Sequence, residues 1–119
     1  MTTKSLSLDS GVDVPDLLER VDHDIDLLRD MLDLFRQEFP RLLMLVQAAV
    51  NRGDSTKIQE SAHTLKGMLA GLSFTRASEC ALEIERLARQ NSGEQINQEL
   101  ERLENAVKVG QAYLESFSR

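Results

Sequence analysis

Apolar residues recur every three or four positions along four separate stretches of this 119-residue chain. An α-helix with that spacing has one apolar face, which must pack against another element, so the pattern strongly limits the fold. The clearest stretch places five apolar residues within about 80° of one another on a helical projection. These residues are Ile58, Ala62, Leu65, Leu69 and Leu72. We therefore predict an amphipathic helix whose buried face they form.

The longest apolar stretch predicts one bent helix. It contains Ile25, Leu28, Leu32, Phe35, Phe39, Leu43, Val46 and Val50. Pro40 lies inside this series, and we expect a kink there because proline removes a backbone donor and clashes with the preceding turn. Gly53 fits the left-handed position that ends many helices. Asp54 or Ser55 can then cap the next helix.

Two more helices and a short N-terminal one complete the prediction. Asp13 can act as N-cap of the short helix, with Pro15 in its first turn, where a missing N–H is tolerated. The fourth predicted helix carries the apolar series Ala77, Cys80, Ala81, Ile84, Leu87 and Ala88. The fifth contains Ile96, Leu100, Leu103, Val107, Tyr113, Leu114 and Phe117.

Short connections between such helices make neighbours antiparallel. The predicted fold class is therefore all-α, an antiparallel up-down four-helix bundle with an additional short N-terminal helix. We assign residues 13–119 to this bundle. Residues 1–12, rich in Ser, Thr, Asp and Gly, are predicted to form a flexible tail.

Composition excludes several classes of function. Twenty acidic against fourteen basic residues give a net charge of -6, which disfavours nucleic-acid binding because that binding depends on cations. The single Cys80 cannot form an internal disulfide, so we expect a reducing, cytoplasmic location. No stretch has the pattern of a signal peptide or a membrane span, and we expect no membrane contact by this chain.

A second stripe on the third helix is polar and small, and it lies roughly 120° from the apolar stripe. It contains Gln59, His63, Lys66, Gly67 and Ala70. His63 is therefore predicted to point away from the core. Glycine inside a helix costs about 1 kcal/mol relative to alanine. Gly67 beside an exposed histidine thus suggests that another molecule approaches closely.

The tight turn around Phe74 predicts a neighbour for His63. His63 lies eleven residues before Phe74 and Glu85 eleven after it, so the two should have similar heights on adjacent antiparallel helices. Glu85 and Arg89 both lie off the core stripe of their helix. Spacing alone leaves open whether Glu85 faces His63, because that depends on helix rotation.

The segment Ala62–Gly67, on the third helix of a small acidic bundle, resembles the histidine-containing phosphotransfer (HPt) domains of bacterial multistep phosphorelays. The resemblance covers most of the chain from about Val14. It implies that His63 takes a phosphoryl group from the aspartyl phosphate of one receiver domain and gives it to an aspartate of another. The family often has Gln or Glu at the position of Glu85. This chain departs from the family at Met68, Leu69 and Ser73, where members frequently have small residues or glycine.

The resemblance and the chemistry together suggest a role for each site residue. His63 must be a neutral imidazole with one nitrogen free. Glu85 would bind the other ring N–H and fix the tautomer. Lys66 would bind the phosphoryl oxygens, with Arg89 a weaker candidate for the same contact. Gln59 would form hydrogen bonds at the edge of the site.

The implied partners are the receiver domains of response regulators and of hybrid sensor histidine kinases. The predicted docking surface consists of Met31, Leu34, Ala70 and Leu82. The family places the Mg²⁺ ion on the receiver, so we expect no cofactor and no metal on this chain. It has no glycine-rich nucleotide loop, which predicts a phosphoryl carrier without kinase activity of its own. We expect a monomer.

Two other interpretations were weighed. Glu60 and His63 match the Glu-x-x-His spacing of di-iron bundles, but such sites need a second motif, and Arg20 stands three residues before His23. His23 is interpreted as a solvated or capping residue. The stronger alternative is a helical interaction module that docks receiver or kinase domains without carrying phosphate.

Overall fold

The structure is a computed structural model that describes residues 10–118. Five helices lie wholly within this part of the chain, and it contains no strand. They are α1 (Val14–Arg20), α2 (Ile25–Arg52), α3 (Ser55–Gly71), α4 (Thr75–Arg89) and α5 (Gly93–Ser118). The all-α prediction is confirmed. None of the described helices is long and apolar enough to cross a membrane.

The four long helices form a ring of neighbours. Helix α3 packs along α4, α4 along α5, and α2 closes the ring by packing on α3 and α5. Since only a few residues connect each helix to the next, consecutive helices run in opposite directions. This order places α3 between α2 and α4, so its two flanks face different neighbours.

Aspartate caps begin three of the helices. The carboxylate of Asp24 accepts a hydrogen bond from Leu27 N at 3.0 Å, and Asp13 and Asp54 do the same at 3.1 Å for the helices that follow them. Gly53 ends α2 with φ +66°, the left-handed conformation that glycine adopts readily. Helix α2 continues through Pro40 as a single element. These boundaries agree with the sequence pattern.

The apolar faces of the helices meet in one core. All five residues of the predicted α3 stripe are buried. The Phe35 ring on α2 lies between two others, 5.3 Å from the Phe39 centroid and 5.0 Å from the Phe74 centroid. The last contact shows that Phe35 and the α3–α4 turn are at the same level of the bundle. Cys80 and Tyr113, predicted in the core, are only half-buried at its edge.

The residues before α1 dock onto the α3–α4 turn. Val12 is buried, and Gly11 O accepts hydrogen bonds from Arg76 N at 3.2 Å and from the Thr75 hydroxyl at 3.1 Å. Gly110 on α5 makes room for this segment, because a Cβ there would lie 2.9 Å from Val12 Cγ2. Only glycine permits such a close approach at that position.

The prediction of a tail ending at residue 12 is therefore wrong for residues 10–12. A single apolar residue has no periodicity, so sequence pattern could not show that Val12 packs against a distant turn. Residues 1–9 of the predicted tail lie outside the part of the chain that the structure describes.

Ser73 joins α1 to the same turn. Its backbone has φ +58°, a conformation that favours glycine, and its hydroxyl donates to Asp16 Oδ2 at 2.7 Å. Hydrogen bonds from Ser73 and Arg20 lower the pKa of the Asp16 carboxyl below its ordinary value. The serine at this left-handed position thus makes a specific side-chain contact that glycine could not make.

Candidate functional site

His63 projects from the exposed face of α3, as the helical projection predicts. Its side chain is 66% exposed. Ala62 and Leu65, on either side of it along the chain, are fully buried. Their burial fixes the rotation of α3 and therefore directs the imidazole away from the core.

Glu85 on α4 faces His63, which answers the question that spacing left open. Its Oε1 lies 3.5 Å from His63 Nδ1, and its side chain is only 14% exposed. Oε1 has no hydrogen-bond partner among the described residues. A buried acceptor that lacks a bond tends to gain one when a donor moves closer. A small movement of the imidazole would supply it.

The orientation of the ring determines which nitrogen is free. Nδ1 is the nitrogen beside Glu85, and 66% of the side chain is exposed, so we infer that Nε2 is the nitrogen accessible from solvent. In a neutral imidazole one nitrogen carries the proton and the other a lone pair. A carboxylate beside Nδ1 favours the tautomer with the proton there. The lone pair is then on Nε2.

Two cations share the Glu85 carboxylate with His63. Lys66 Nζ lies 3.7 Å from Oε1, and its side chain is 29% exposed. Arg89 Nη2 lies 3.7 Å from Oε2, and its side chain is 64% exposed. The structure thus brings the sequence-predicted residues of both helices together around one carboxylate. Both cations therefore lie one carboxylate away from the His63 ring.

Gln59 forms hydrogen bonds with both Arg89 and Ser55. Its Oε1 accepts a hydrogen bond from Arg89 Nε at 3.2 Å, and its Nε2 donates to Ser55 Oγ at 3.2 Å. Ser55 Oγ donates to Ala88 O at 2.7 Å. Sequence reasoning considered Ser55 only as a cap. Ser55, Gln59 and His63 are each four residues apart, and this spacing could have placed Ser55 on the same helix face.

Gly67 and Ala70 form an open surface beside His63. Both are exposed, and a Cβ built on Gly67 has no atom within 4 Å apart from its own helix. Packing within the chain therefore does not require glycine at this position. The exposed helix backbone is accessible to another molecule.

The predicted docking residues divide into two groups. Leu82 is exposed and lies eight residues after Phe74, level with Lys66, which lies eight before it. Leu34 is exposed and Met31 half-buried, but the Phe35–Phe74 contact places them near the α3–α4 turn. That end of the bundle is roughly 15 Å from His63 along the helix axis. Those two residues are thus distant from the histidine.

Two exposed apolar residues were missed by sequence reasoning. Met44 and Leu45 lie on α2 about as far before Gly53 as His63 lies after it, so they are at the level of the histidine. Their signal was present in the sequence, since both lie off the regular apolar series of α2. They add two exposed apolar side chains at that level of the bundle.

The described residues form neither a cluster suited to a metal ion nor a reactive thiol. No three His, Cys, Asp or Glu side chains between residues 10 and 118 are placed to hold a metal ion. Glu60 and His63 do not form an inward di-iron half-site, because the His63 ring faces solvent. Burial and the nearby Glu99 raise the pKa of the Cys80 thiol to about 11, so it is protonated at neutral pH.

Comparisons with known proteins identify a family. The family model of the Hpt domain matches residues 30–112, which is more than half of the chain and includes both His63 and Glu85. The fold is similar to the crystal structure of the HPT domain from an Hpt sensor hybrid histidine kinase of Shewanella, with a TM-score of 0.66 and 16% identity over 91% of this chain and 93% of that chain. No curated protein sequence matches the chain.

Proposed function

This chain belongs to the Hpt domain family, and on that premise we propose that His63 accepts a phosphoryl group from the aspartyl phosphate of one receiver domain and passes it to an aspartate of another. Hpt domains carry phosphoryl groups in two-component systems and interact with receiver domains. The observation that supports the finer proposal is the exposed imidazole of His63, with the Glu85 carboxylate 3.5 Å from its Nδ1.

The transfer can be written for the atoms of this site. The lone pair on His63 Nε2 attacks the phosphorus atom, the new P–N bond forms, and the bond from phosphorus to the aspartyl oxygen breaks. The electron pair of that bond leaves with the aspartate as carboxylate. The ring keeps its proton on Nδ1 and becomes positively charged. Glu85 compensates this charge, and the reverse sequence delivers the phosphoryl group to the next receiver.

Lys66 has a second role in this proposal. Before transfer its ammonium group is near Glu85 Oε1, and the carboxylate stabilises it there. Once Glu85 pairs with the charged ring, Lys66 is free to bind the phosphoryl oxygens through a charge-assisted hydrogen bond. Arg89 stays beside Oε2 and maintains the charge balance of the carboxylate.

The donor set around His63 does not suit a divalent metal ion. Mg²⁺ prefers several oxygen ligands, whereas Glu85 is the one carboxylate that the described residues place in contact with His63, and Lys66 and Arg89 flank it. We therefore assign any Mg²⁺ in the transfer to the receiver. By the same proposal this chain is a carrier and has no ATP-dependent kinase activity.

A receiver domain would cover the open surface of α3. Gly67 and Ala70 would allow its backbone to approach, and Leu82 and Met44, exposed on the two helices next to α3, would supply apolar area. Leu34 would contribute at the far edge. A monomeric state and a cytoplasmic location belong to this proposal as well.

The proposal predicts that the purified protein takes up phosphate from a phosphorylated receiver domain, and that His63→Gln abolishes uptake. The measurement is radiolabelled phosphate bound to the protein, which should be labile in acid and stable in alkali. His23→Gln is the matched control, because His23 is an exposed histidine just before α2 and outside the residues grouped around Glu85, and it should take up phosphate normally.

Two results would contradict this proposal. Labelling of His63→Gln at the level of the wild type would remove His63 from the mechanism. If the wild type binds receivers but takes up no phosphate, the alternative of a docking module without phosphoryl transfer is correct.

A further inference from the structure

A directional series of hydrogen bonds begins at the carboxyl end of α4. Ser55 Oγ donates to Ala88 O at 2.7 Å. A carbonyl oxygen can only accept, so this bond uses the single hydroxyl proton of Ser55. Toward its next neighbour, Gln59, Ser55 can therefore only accept.

The same reasoning fixes the side-chain amide of Gln59. Its Nε2 must face Ser55, at 3.2 Å, and its Oε1 must then face the opposite way. Arg89 Nε donates to that Oε1 at 3.2 Å. A flipped amide would place two acceptors together at Ser55 and two donors together at Arg89. The hydrogen bond from Ser55 to Ala88 O thus orients the Gln59 amide, so that Arg89 Nε faces its oxygen.

This anchor determines where the guanidinium of Arg89 lies. Its side chain is mostly exposed, so packing restrains it weakly. With Nε bound to Gln59, Nη2 remains 3.7 Å from Glu85 Oε2. The other carboxylate oxygen, Oε1, is then directed toward His63 and Lys66.

We propose that Gln59, oriented by Ser55, is a positioning residue that holds Arg89 against Glu85 and so keeps Glu85 Oε1 directed at His63 Nδ1. The inference rests on the proposed phosphoryl transfer. Without the anchor Arg89 moves into solvent, and the carboxylate turns toward its remaining cation, Lys66. The ring then loses its aligned acceptor, and Lys66 is kept from the phosphoryl group.

The test replaces Gln59 in two ways. Gln59→Leu has a similar size but neither accepts nor donates, whereas Gln59→Glu keeps an acceptor for Arg89. Thr56→Leu is the control, an exposed residue on the same helix outside the hydrogen-bond series. We would measure phosphoryl uptake in a single turnover at saturating phosphorylated receiver, receiver affinity by calorimetry, and folding by circular dichroism.

Gln59→Leu should slow uptake by about three- to tenfold at saturating receiver, because catalysis here depends on the alignment of the nucleophile. Its receiver affinity should not change. Gln59→Glu keeps the acceptor for Arg89 but also places an acceptor beside Ser55 Oγ, so it should recover only part of the rate. Thr56→Leu should match the wild type. Arg89→Lys should reproduce the loss, since an ammonium group lacks the rigid fork that reaches Gln59 and Glu85 together. Adding Gln59→Leu to Arg89→Lys should have no further effect.

A wild-type rate for Gln59→Leu, or a loss explained wholly by weaker receiver binding, would overturn the positioning role. A second readout keeps this inference separate from the proposed function. The ¹H–¹⁵N signal of Arg89 Nε should shift in Gln59→Leu and stay in place in Thr56→Leu. If wild-type protein takes up no phosphate, the proposed phosphoryl transfer fails. Independently of that result, an Arg89 Nε signal that does not shift in Gln59→Leu would refute the contact between Gln59 and Arg89.

Discussion

At the scale of single residues, the site is organised around a carboxylate with weak contacts. His63, Lys66 and Arg89 approach Glu85 at 3.5 to 3.7 Å, which is longer than regular hydrogen bonds. Two of the three partners are mostly exposed, so water screens these interactions. In the proposed transfer, such weak contacts would let Glu85 exchange one partner for another. Such an exchange would be difficult for a fully bonded, buried network.

Replacing Lys66 tests this exchange. Lys66→Ala should slow phosphoryl uptake about tenfold or more, because a hydrogen bond to a charged group contributes about 1.5 to 3 kcal/mol. The initial rate of transfer from a phosphorylated receiver is the measurement. Lys57→Ala is the control, since Lys57 lies on the same helix and pairs with Glu60 at the surface. If both variants transfer at the wild-type rate, Lys66 does not contact the phosphoryl group.

At the scale of elements, the sequence pattern predicts how α3 is rotated about its own axis. It does not predict how α4 is rotated relative to α3. The buried stripe of α3 follows the sequence period and directs His63 outward. On α4, Ala77, Ala81 and Ala88 are all buried, and such small residues let the helix approach its neighbours closely. The resulting rotation depends on packing that a one-dimensional pattern does not contain. The residue spacing therefore predicts only the height of Glu85, and the structure shows that its carboxylate faces His63.

Gly67 provides a prediction at this scale. Gly67→Ala should raise the free energy of unfolding by up to about 1 kcal/mol, since alanine favours a helix interior and a Cβ there meets no atom within 4 Å outside its own helix. The same change should weaken receiver binding several-fold if a partner backbone packs on this surface. Urea unfolding and calorimetry measure the two effects. A more stable variant with undiminished receiver binding would show that the open surface is not used.

At the scale of the whole molecule, the N-terminal segment holds the end of the bundle opposite the α2–α3 turn. Asp13 N donates to Ser73 O at 2.9 Å, and the Ser73 hydroxyl donates to Asp16. Sequence reasoning predicted α1 and its cap from local signals. It could not predict these contacts, because they join residues about sixty positions apart. Local capping rules and helical periods thus predict elements, whereas the attachment of an N-terminal segment depends on tertiary packing.

The contact between Ser73 and Asp16 makes stability depend on pH. The folded protein holds the pKa of Asp16 below its ordinary value of 3.8, so the carboxylate form stabilises the fold. This contribution is fully present above pH 3.8 and is lost as the pH falls through the lower pKa of the folded state. Wild type should therefore be more stable than Ser73→Ala at pH 7, and the difference should shrink below about pH 4.

Urea unfolding of both proteins between pH 7 and pH 3 checks this expectation. A third variant separates the effect of the Ser73 hydroxyl from that of its left-handed backbone. Ser73→Gly loses the bond to Asp16 but relieves the left-handed backbone, so it should be more stable than Ser73→Ala at every pH. Ser78→Ala serves as a control, because the Ser78 hydroxyl donates to a backbone carbonyl and its contribution should not titrate. If the Ser73→Ala difference persists unchanged at pH 3, the bond to the Asp16 carboxylate contributes nothing, and α1 is attached by its backbone and apolar contacts alone.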